Sequence, residues 1–305
     1  MPAAAARPEL VCLGNLVVDD VVLPDGRTRL AQPGGATLYA ALGAALFGAR
    51  VAILAPVGDD YPAAALGALA ARGVDLSRLR PLLRPGLRTW LLYEPGARRI
   101  VPRPGCPTHA EASPAPADLE GAFPDARAFH LAPAPLACQA ALLPALAGRP
   151  GVIVSLDPHD RVTEESLGRW SPALALVDVF FVSAEEVDLD GLAAAPAAAL
   201  ARLGGGRLRE VLLKQGARGG LLADLSRGTV CRWAPRAVEV VDPTGAGDAF
   251  AGAYLSGRCA GEEPERALER GVVAASFALA GWGPDGLLAA TPDAARARRR
   301  AWFGG

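Results

Sequence analysis

The chain has 305 residues, of which 51% are hydrophobic, and a formal net charge of −1. That length supports a large core in one α/β domain or two smaller ones, and the balanced charge leaves no electrostatic footprint for nucleic acid. The start, Met1 to Glu9, lacks an apolar core behind a basic segment, and no apolar run approaches the ~18 residues of a membrane span. The expectation is a cytoplasmic protein with neither a nucleic-acid nor a membrane partner. Its cysteines, Cys12, Cys106, Cys138, Cys231 and Cys259, show no disulfide or zinc spacing and read as reduced, small hydrophobes.

In chain order, Leu10 to Gly14 reads as a buried strand, and Val17 to Leu23, Asp25-Gly26 and Thr28 to Ala31 as a hairpin with a D-G turn. Ala36 to Phe47 is a helix stopped by Gly48, Val51 to Val57 a strand, and Tyr61 to Arg72 a helix stopped by Gly73. Arg88 to Tyr93, Pro95-Gly96 and Arg98 to Val101 form a second hairpin; Pro102 to Asp118 is a Pro/Ala-rich loop. Then come strand Ala128 to Leu131, helix Leu136 to Ala147, strands Val152 to Leu156 and Val179 to Val182, helix Ala193 to Leu203, and strands Glu210 to Leu213 and Gly219 to Ala223. Continuous apolar strands alternating with helices predict an α/β doubly wound, mostly parallel sheet covered on both faces. The hairpins, at about 17–33 and 86–103, are expected to join into a small β lid on a single domain spanning 1–305. The arginines from Arg296 to Arg300 read as a solvated helix face.

The most informative stretch is Val240-Val241-Asp242-Pro243-Thr244-Gly245-Ala246-Gly247-Asp248-Ala249-Phe250. A Gly-rich turn that enters a helix presents free backbone N–H groups and the positive end of the helix dipole, which makes an anion site. Asp248 stands in the first turn. Its charge repels phosphate, so either it caps the helix or it accepts the proton of a hydroxyl attacking a phosphoryl group. There is no G-x-x-x-x-G-K-[ST], and the first strand is not followed by G-x-G-x-x-G, which removes a dinucleotide dehydrogenase. Among 31 basic residues, Lys214 is the only lysine, the one compact ammonium in a chain that otherwise uses arginine. Asp157 and Arg161 follow a strand and face the crevice where parallel sheets bind ligands; a plain polar turn explains them equally well. His130 reads as a core histidine, and His109 sits in a Pro-rich loop.

Asp242-Pro243-Thr244-Gly245-Ala246-Gly247-Asp248-Ala249-Phe250 strongly resembles the C-terminal signature of the ribokinase-like (PfkB) carbohydrate kinases. The resemblance extends along nearly the whole chain, through Gly14-Asn15-Leu16-Val17-Val18-Asp19, Pro33-Gly34-Gly35, Val57-Gly58-Asp59-Asp60 and Arg72-Gly73-Val74. It implies an ATP-dependent phosphotransferase to a hydroxyl of a small sugar, polyol or nucleoside. Asp248 would be the base, and the amides of Gly245, Ala246 and Gly247 the anion hole. Asp19, Gly34, Gly35 and Tyr39 would meet the acceptor. Lys214, Gly216, Gly219, Thr244 and Ser183 would serve ATP, and Glu186 would serve Mg²⁺, with a monovalent cation near Asp242 and Thr244. Two positions depart from the family pattern: Ser183 stands where an Asn is usual, and Tyr39 where sugar kinases often carry Asn. Tyr39 and the short lid segment between Asp20 and Gly34 are similar to the inositol- and nucleoside-kinase branches, and Leu23-Pro24-Asp25-Gly26 followed by Gly-Gly-x-x-x-Tyr-Ala resembles microbial myo-inositol kinases. The two departures motivate a second reading, a catalytically weak paralogue that binds a ligand or regulates, against which the intact Asp248 speaks. A homodimer through the lid edge is a further expectation.

Overall fold

The computed structural model describes residues 7–94 and 97–304. The Pro95-Gly96 turn and residues 1–6 lie outside the described residues.

The strands are β1 (Leu10–Leu13), β2 (Val17–Val22), β3 (Thr28–Gly34), β4 (Val51–Val57), β5 (Asp75–Pro81), β6 (Arg88–Glu94), β7 (Ala97–Pro102) and β8 (Ala128–Leu131). They continue with β9 (Ile153–Leu156), β10 (Val162–Thr163), β11 (Val179–Ser183), β12 (Val187–Asp188), β13 (Glu210–Lys214), β14 (Gly220–Asp224) and β15 (Thr229–Trp233). The helices are α1 (Ala36–Ala45), α2 (Ala63–Ala71), α3 (Leu136–Ala147), α4 (Leu167–Leu174), α5 (Pro196–Ala201), α6 (Ala246–Cys259), α7 (Pro264–Leu279), α8 (Asp285–Ala289) and α9 (Pro292–Phe303).

Nine strands form the main sheet in the order β15-β14-β13-β11-β9-β8-β1-β4-β5. From β13 to β5 every pairing is parallel; β14 and β15 finish that edge in antiparallel fashion. Side chains alternate across β1, so Leu10 and Cys12 join the core under α1, α6 and α7, while Val11 and Leu13 join the core with α3 and α4 on the other face. This is the expected mostly parallel α/β sheet with both faces covered.

Strand β15 and helices α7 and α8 were not assigned from the sequence, and three further differences have a physical reason. The strand β5 was not read from the sequence, because it is an edge strand with Arg78 and Arg80 spaced along it and only partial burial. Helix α4 was hidden by Pro172 inside it. Helix α5 begins at Pro196, three residues after the predicted start, because proline suits the first helical turn.

The two hairpins do form one sheet, in the order β3-β2-β6-β7. Its centre is a parallel pair, β2 with β6, which joins the hairpins. Alternation along β2 sends Asp19 and Asp20 to opposite faces. Asp20 is fully buried and receives Arg88 at 3.0 Å, Arg103 at 2.5 Å and the Ala31 N–H at 2.8 Å, which pins the hairpins to each other from outside. Asp19 faces the main domain.

Helices α1 and α6 pack backbone to backbone. A Cβ on Gly43 would overlap the Ala249 carbonyl, and one on Gly252 would overlap that of Ala40. The close crossing fixes the N-terminal ends of both helices side by side beneath the small sheet.

Candidate active site

The crevice at the carboxyl ends of β9, β11 and β13 collects Asp157, Ser183 and Lys214, and the N-terminus of α6 faces it. Gly245 is the N-cap of α6, held left-handed at φ 74°. A side chain there would overlap the ring of Tyr39, which is itself 2% exposed. Tyr39 thus lies beneath the turn and supports it, and is not an open wall for an acceptor. Among the described residues, the N–H groups of Gly245, Gly247 and Asp248 meet no backbone carbonyl, whereas the Ala246 N–H reaches back to Pro243 at 3.4 Å. The turn is shaped from below by Asp242. Its Oδ1 accepts the Thr244 N–H at 2.8 Å and the Thr244 hydroxyl at 2.6 Å, and its Oδ2 accepts the Gly283 N–H at 2.9 Å.

Lys214 closes one side. Its Nζ donates to Asp157 Oδ2 at 2.6 Å, and a Cβ on Gly247 would stand 3.4 Å from Nζ. The ammonium therefore rests beside the Gly-rich turn, at ordinary contact distance from where a side chain on Gly247 would begin. Burial works against its charge, but Asp157, Glu186 and Asp248 around it hold the pKa above the ordinary value. The other oxygen of Asp157, Oδ1, is buried without a partner among the described residues. Arg161, in contrast, points outward, 3.7 Å from Asp188 with both side chains exposed.

Asp248 is partly accessible but walled in by protein. Burial, reinforced by Asp157 and Glu186 and opposed by Lys214 and Arg98, pushes its pKa up to about 6. A carboxylate tuned this close to neutrality suits a general base better than a cap. Glu186 is oriented by the Ser183 backbone N–H, which it accepts at 2.7 Å. The bond uses the main chain of residue 183, so replacing Asn by Ser leaves it intact. Glu185 is exposed and takes no part.

On the lid side, Asp19 is 5% exposed and accepts the Thr89 hydroxyl at 2.6 Å; its other oxygen lies against Gly34, where a Cβ would overlap it. Burial raises its pKa to about 6 against the help of Thr89 and Arg98. Gly35, at φ 101°, begins α1 next to the Asn15 carbonyl. Asp19, Gly34 and Gly35 therefore come together as expected. On the nucleotide side, Gly216 has open space above it, whereas a Cβ on Gly219 would overlap the Trp233 carbonyl, so Gly219 serves the packing of the β13–β14 turn against β15.

The sequence reading missed Arg98. The register of β6 with β7 sets Arg98 opposite Tyr93. Arg98 is exposed as a residue; the partial desolvation of its guanidinium is outweighed by Tyr93, Asp248 and Glu186, which raise its pKa, and it is felt in turn at Asp19. Only that register, not any motif, distinguishes it from the other arginines. The lid contact is completed by Tyr93, whose hydroxyl lies 2.9 Å from that of Thr244.

A divalent cation fits this site in one way. Among the described residues no cluster of three or more His, Cys, Asp or Glu forms a direct cage. Glu186 and the unpartnered oxygen of Asp157 are suited to a Mg²⁺ that keeps most of its waters and is carried by phosphates. Beside Thr244, where the resemblance implies a monovalent cation, the carboxylate of Asp242 accepts three hydrogen bonds.

A family model described as pfkB family carbohydrate kinase matches residues 8–286. The cytidine kinase of Thermococcus kodakarensis is 30% identical over 279 residues, 90% of this chain and 97% of that one. A fructokinase of Klebsiella pneumoniae is 31% identical over 264 residues, 83% and 85% of the two chains. Among solved structures, an E. coli chain of the ribokinase II type with ATP and Mg²⁺ superposes with a TM-score of 0.71 at 22% identity over 95% of this chain and 99% of its own. The nucleoside kinase of Burkholderia thailandensis with inosine gives 0.73 at 18% identity over 97% of both. These two structures establish the fold. No helix among the described residues is long and apolar enough to cross a membrane.

Proposed function

The chain belongs to the pfkB family of carbohydrate kinases and is a phosphotransferase to a sugar or nucleoside hydroxyl, and from that premise we propose that Asp248 is its general base and a nucleoside its acceptor. The observation that carries the first part is the carboxylate tuned to about 6 among the free amides of the α6 turn, with Lys214 against Gly247.

Asp19, seated on Gly34 and braced by Thr89, orients the acceptor hydroxyls. The attacking hydroxyl gives its proton to Asp248 as its oxygen bonds to the γ-phosphorus, and ADP leaves. The amides of the 245–247 turn, with that of Asp248, face the oxygens on which charge gathers. Lys214 from below and Arg98 from the lid bring two cations to the same charge. Bound Mg²⁺, held through Glu186 and Asp157, would neutralise phosphate charge. Thr244 and Gly216 border the nucleotide side; Gly219 and Tyr39 support the two turns. A closed lid excludes water that would otherwise take the phosphoryl group.

The acceptor class is supported by the inner face of the lid. The β6–β7 register puts Ile100 beside Leu91, and with Val21 they form an apolar row between the polar row Asp19–Thr89 and Arg98. Val21 and Leu91 are buried against Trp282, and Ile100, at the end of the row, is 44% exposed. A bare polyol has no surface to cover an exposed isoleucine; a nucleobase does. The relationship to a cytidine kinase along almost its whole length agrees. We also propose a homodimer through β3, an edge strand on which Leu30 is 53% exposed.

The test is ADP release with Mg-ATP and cytidine, adenosine, inosine, ribose, fructose and myo-inositol, run on the wild type and on Arg98→Ala. Turnover on a nucleoside that exceeds turnover on its free sugar at least tenfold supports the reading. A preference for fructose or myo-inositol refutes the nucleoside assignment and leaves the kinase in place. Arg98→Ala is expected to lose about 100-fold in kcat, the usual cost of one charge-stabilising donor. Unchanged kcat removes Arg98 from the mechanism.

A further inference from the structure

Tyr93 has no place in the reaction as described, but it stands between two of its parts. On one side its hydroxyl meets Thr244 in the anion turn at 2.9 Å. On the other it lies beside the guanidinium of Arg98, its cross-strand partner.

The direction of the proton settles what the hydroxyl does. Thr244 has a single hydroxyl hydrogen, and it goes to Asp242 Oδ1 at 2.6 Å. In the contact with Tyr93 the Thr244 oxygen must therefore accept, and Tyr93 donates. Burial keeps the Tyr93 phenol neutral and able to do so. The free lone pairs of Tyr93 are then available to its cross-strand partner Arg98, a donor only. A chain of polarity runs from Arg98 through Tyr93 and Thr244 to the buried carboxylate of Asp242, whose second oxygen takes the Gly283 N–H.

Gly283 follows Trp282, and Trp282 is the dock for the other half of the lid. Arg27 and Arg29 stack on its ring at 5.5 and 5.4 Å, and Arg29 reaches Asp285 at 3.4 Å. Tyr93 and Trp282 also share an apolar cluster with Val21, Leu23 and Leu91. Asp242 thus ties together two of the places where the lid touches the main domain, and Tyr93 supplies the only hydrogen bond from the second hairpin to the turn among the described residues.

We propose that Tyr93 is a positioning residue: its hydroxyl fixes the anion turn through Thr244 and holds Arg98 at the reacting phosphate, so that lid closure and the catalytic geometry form together. Only the kinetic part of this rests on the kinase reading; the link itself is a property of the free protein.

The experiment is hydrogen exchange by mass spectrometry on the full chain, for wild type, Tyr93→Phe, Thr244→Ala and the double variant. Phenylalanine keeps the ring and removes only the donor. Tyr93→Phe is expected to raise exchange about five- to tenfold in residues 88–94 and equally in 242–248, the loss of one buried hydrogen bond. Thr244→Ala does at least as much, and the double variant no more than Thr244→Ala alone. Faster exchange confined to the lid segment, no change in either segment, or multiplying single effects would each overturn the link. Kinetics with Mg-ATP and cytidine as the acceptor probe separate positioning from binding. A fall in kcat of about five- to tenfold with KM for ATP within about twofold supports positioning. A rise in KM alone assigns the hydroxyl to binding and overturns it. If wild type does not use cytidine, the acceptor assignment fails separately, and the exchange cycle decides the link.

Discussion

Replacing Asp248 by Asn tests whether burial, and not capping, sets the state of the carboxyl. Its pKa rises from 3.8 to about 6, so carrying the charge in the folded chain costs about 3 kcal/mol relative to the unfolded one. Solvent at the accessible edge reduces the usable part to about 2 kcal/mol. The sign follows from proton binding. Between about pH 4 and 6 the folded chain retains a proton that the unfolded chain has released, so wild-type stability falls as pH rises through that window. Asparagine carries no charge at any pH. Asp248→Asn should therefore be more stable than wild type by about 2 kcal/mol at pH 7.5, a rise in Tm of roughly 3 °C for a chain of this size. The gap should close below about pH 4, where both side chains are neutral. Asp19, raised in the same way, is present in both proteins and cancels. Turnover should fall by about two to four orders of magnitude, as for a removed general base. Urea unfolding of both proteins at pH 4, 5, 6 and 7.5 gives the stability gap, and ADP release gives the rate. A variant that is less stable at pH 7.5, or a gap that does not change with pH, would show that the carboxyl is a favourable cap and refute the argument.

Two further substitutions probe the turn. Lys214→Arg should raise KM for ATP about tenfold or more, because a planar guanidinium does not fit between Asp157 and Gly247 where the ammonium now sits; initial rates against ATP concentration read it directly. Gly245→Ala should lose nearly all turnover and about 1–3 kcal/mol of stability, since the position is left-handed and a Cβ would overlap the Tyr39 ring; a folded variant of normal activity would mean that the turn is not held by Tyr39.

Much of the fold was legible because strand and helix signals here are local. Apolar runs such as Val51–Val57 are buried along almost their whole length, and glycines or prolines bound them. Strand β5 was lost because an edge strand is free to carry arginines, which erases the pattern that marks a buried one. In the site, Asp248 and the glycines before it were legible as one contiguous turn. Asp157 and Lys214 were each noticed, but their pairing at 2.6 Å spans 57 residues and exists only after β9 and β13 enter the same sheet. Arg98 and Tyr93 were invisible for the same reason in stronger form. Neither belongs to a motif, and their role depends on a cross-strand register and on the approach of one sheet to another.

The two departures from the family pattern lose their force for the same structural reason. They raised the reading of a weak paralogue on the assumption that the side chains at 183 and 39 do the work. At 183 the bond to Glu186 comes from the backbone N–H, which any residue but proline supplies. At 39 the ring lies under Gly245 and packs against the turn at the start of α6. In the proposed reaction the groups left to face reactants are Asp248, the free amides around it, Lys214 and Arg98, which would serve as an acid–base group and its charge partners. A binder gains nothing from keeping a carboxylate at about 6 beside an anion site, since the charge weakens phosphate binding and strains the fold. That cost is intelligible only if the proton has somewhere to come from, and Asp19 on Gly34 is where the hydroxyl that supplies it would be held.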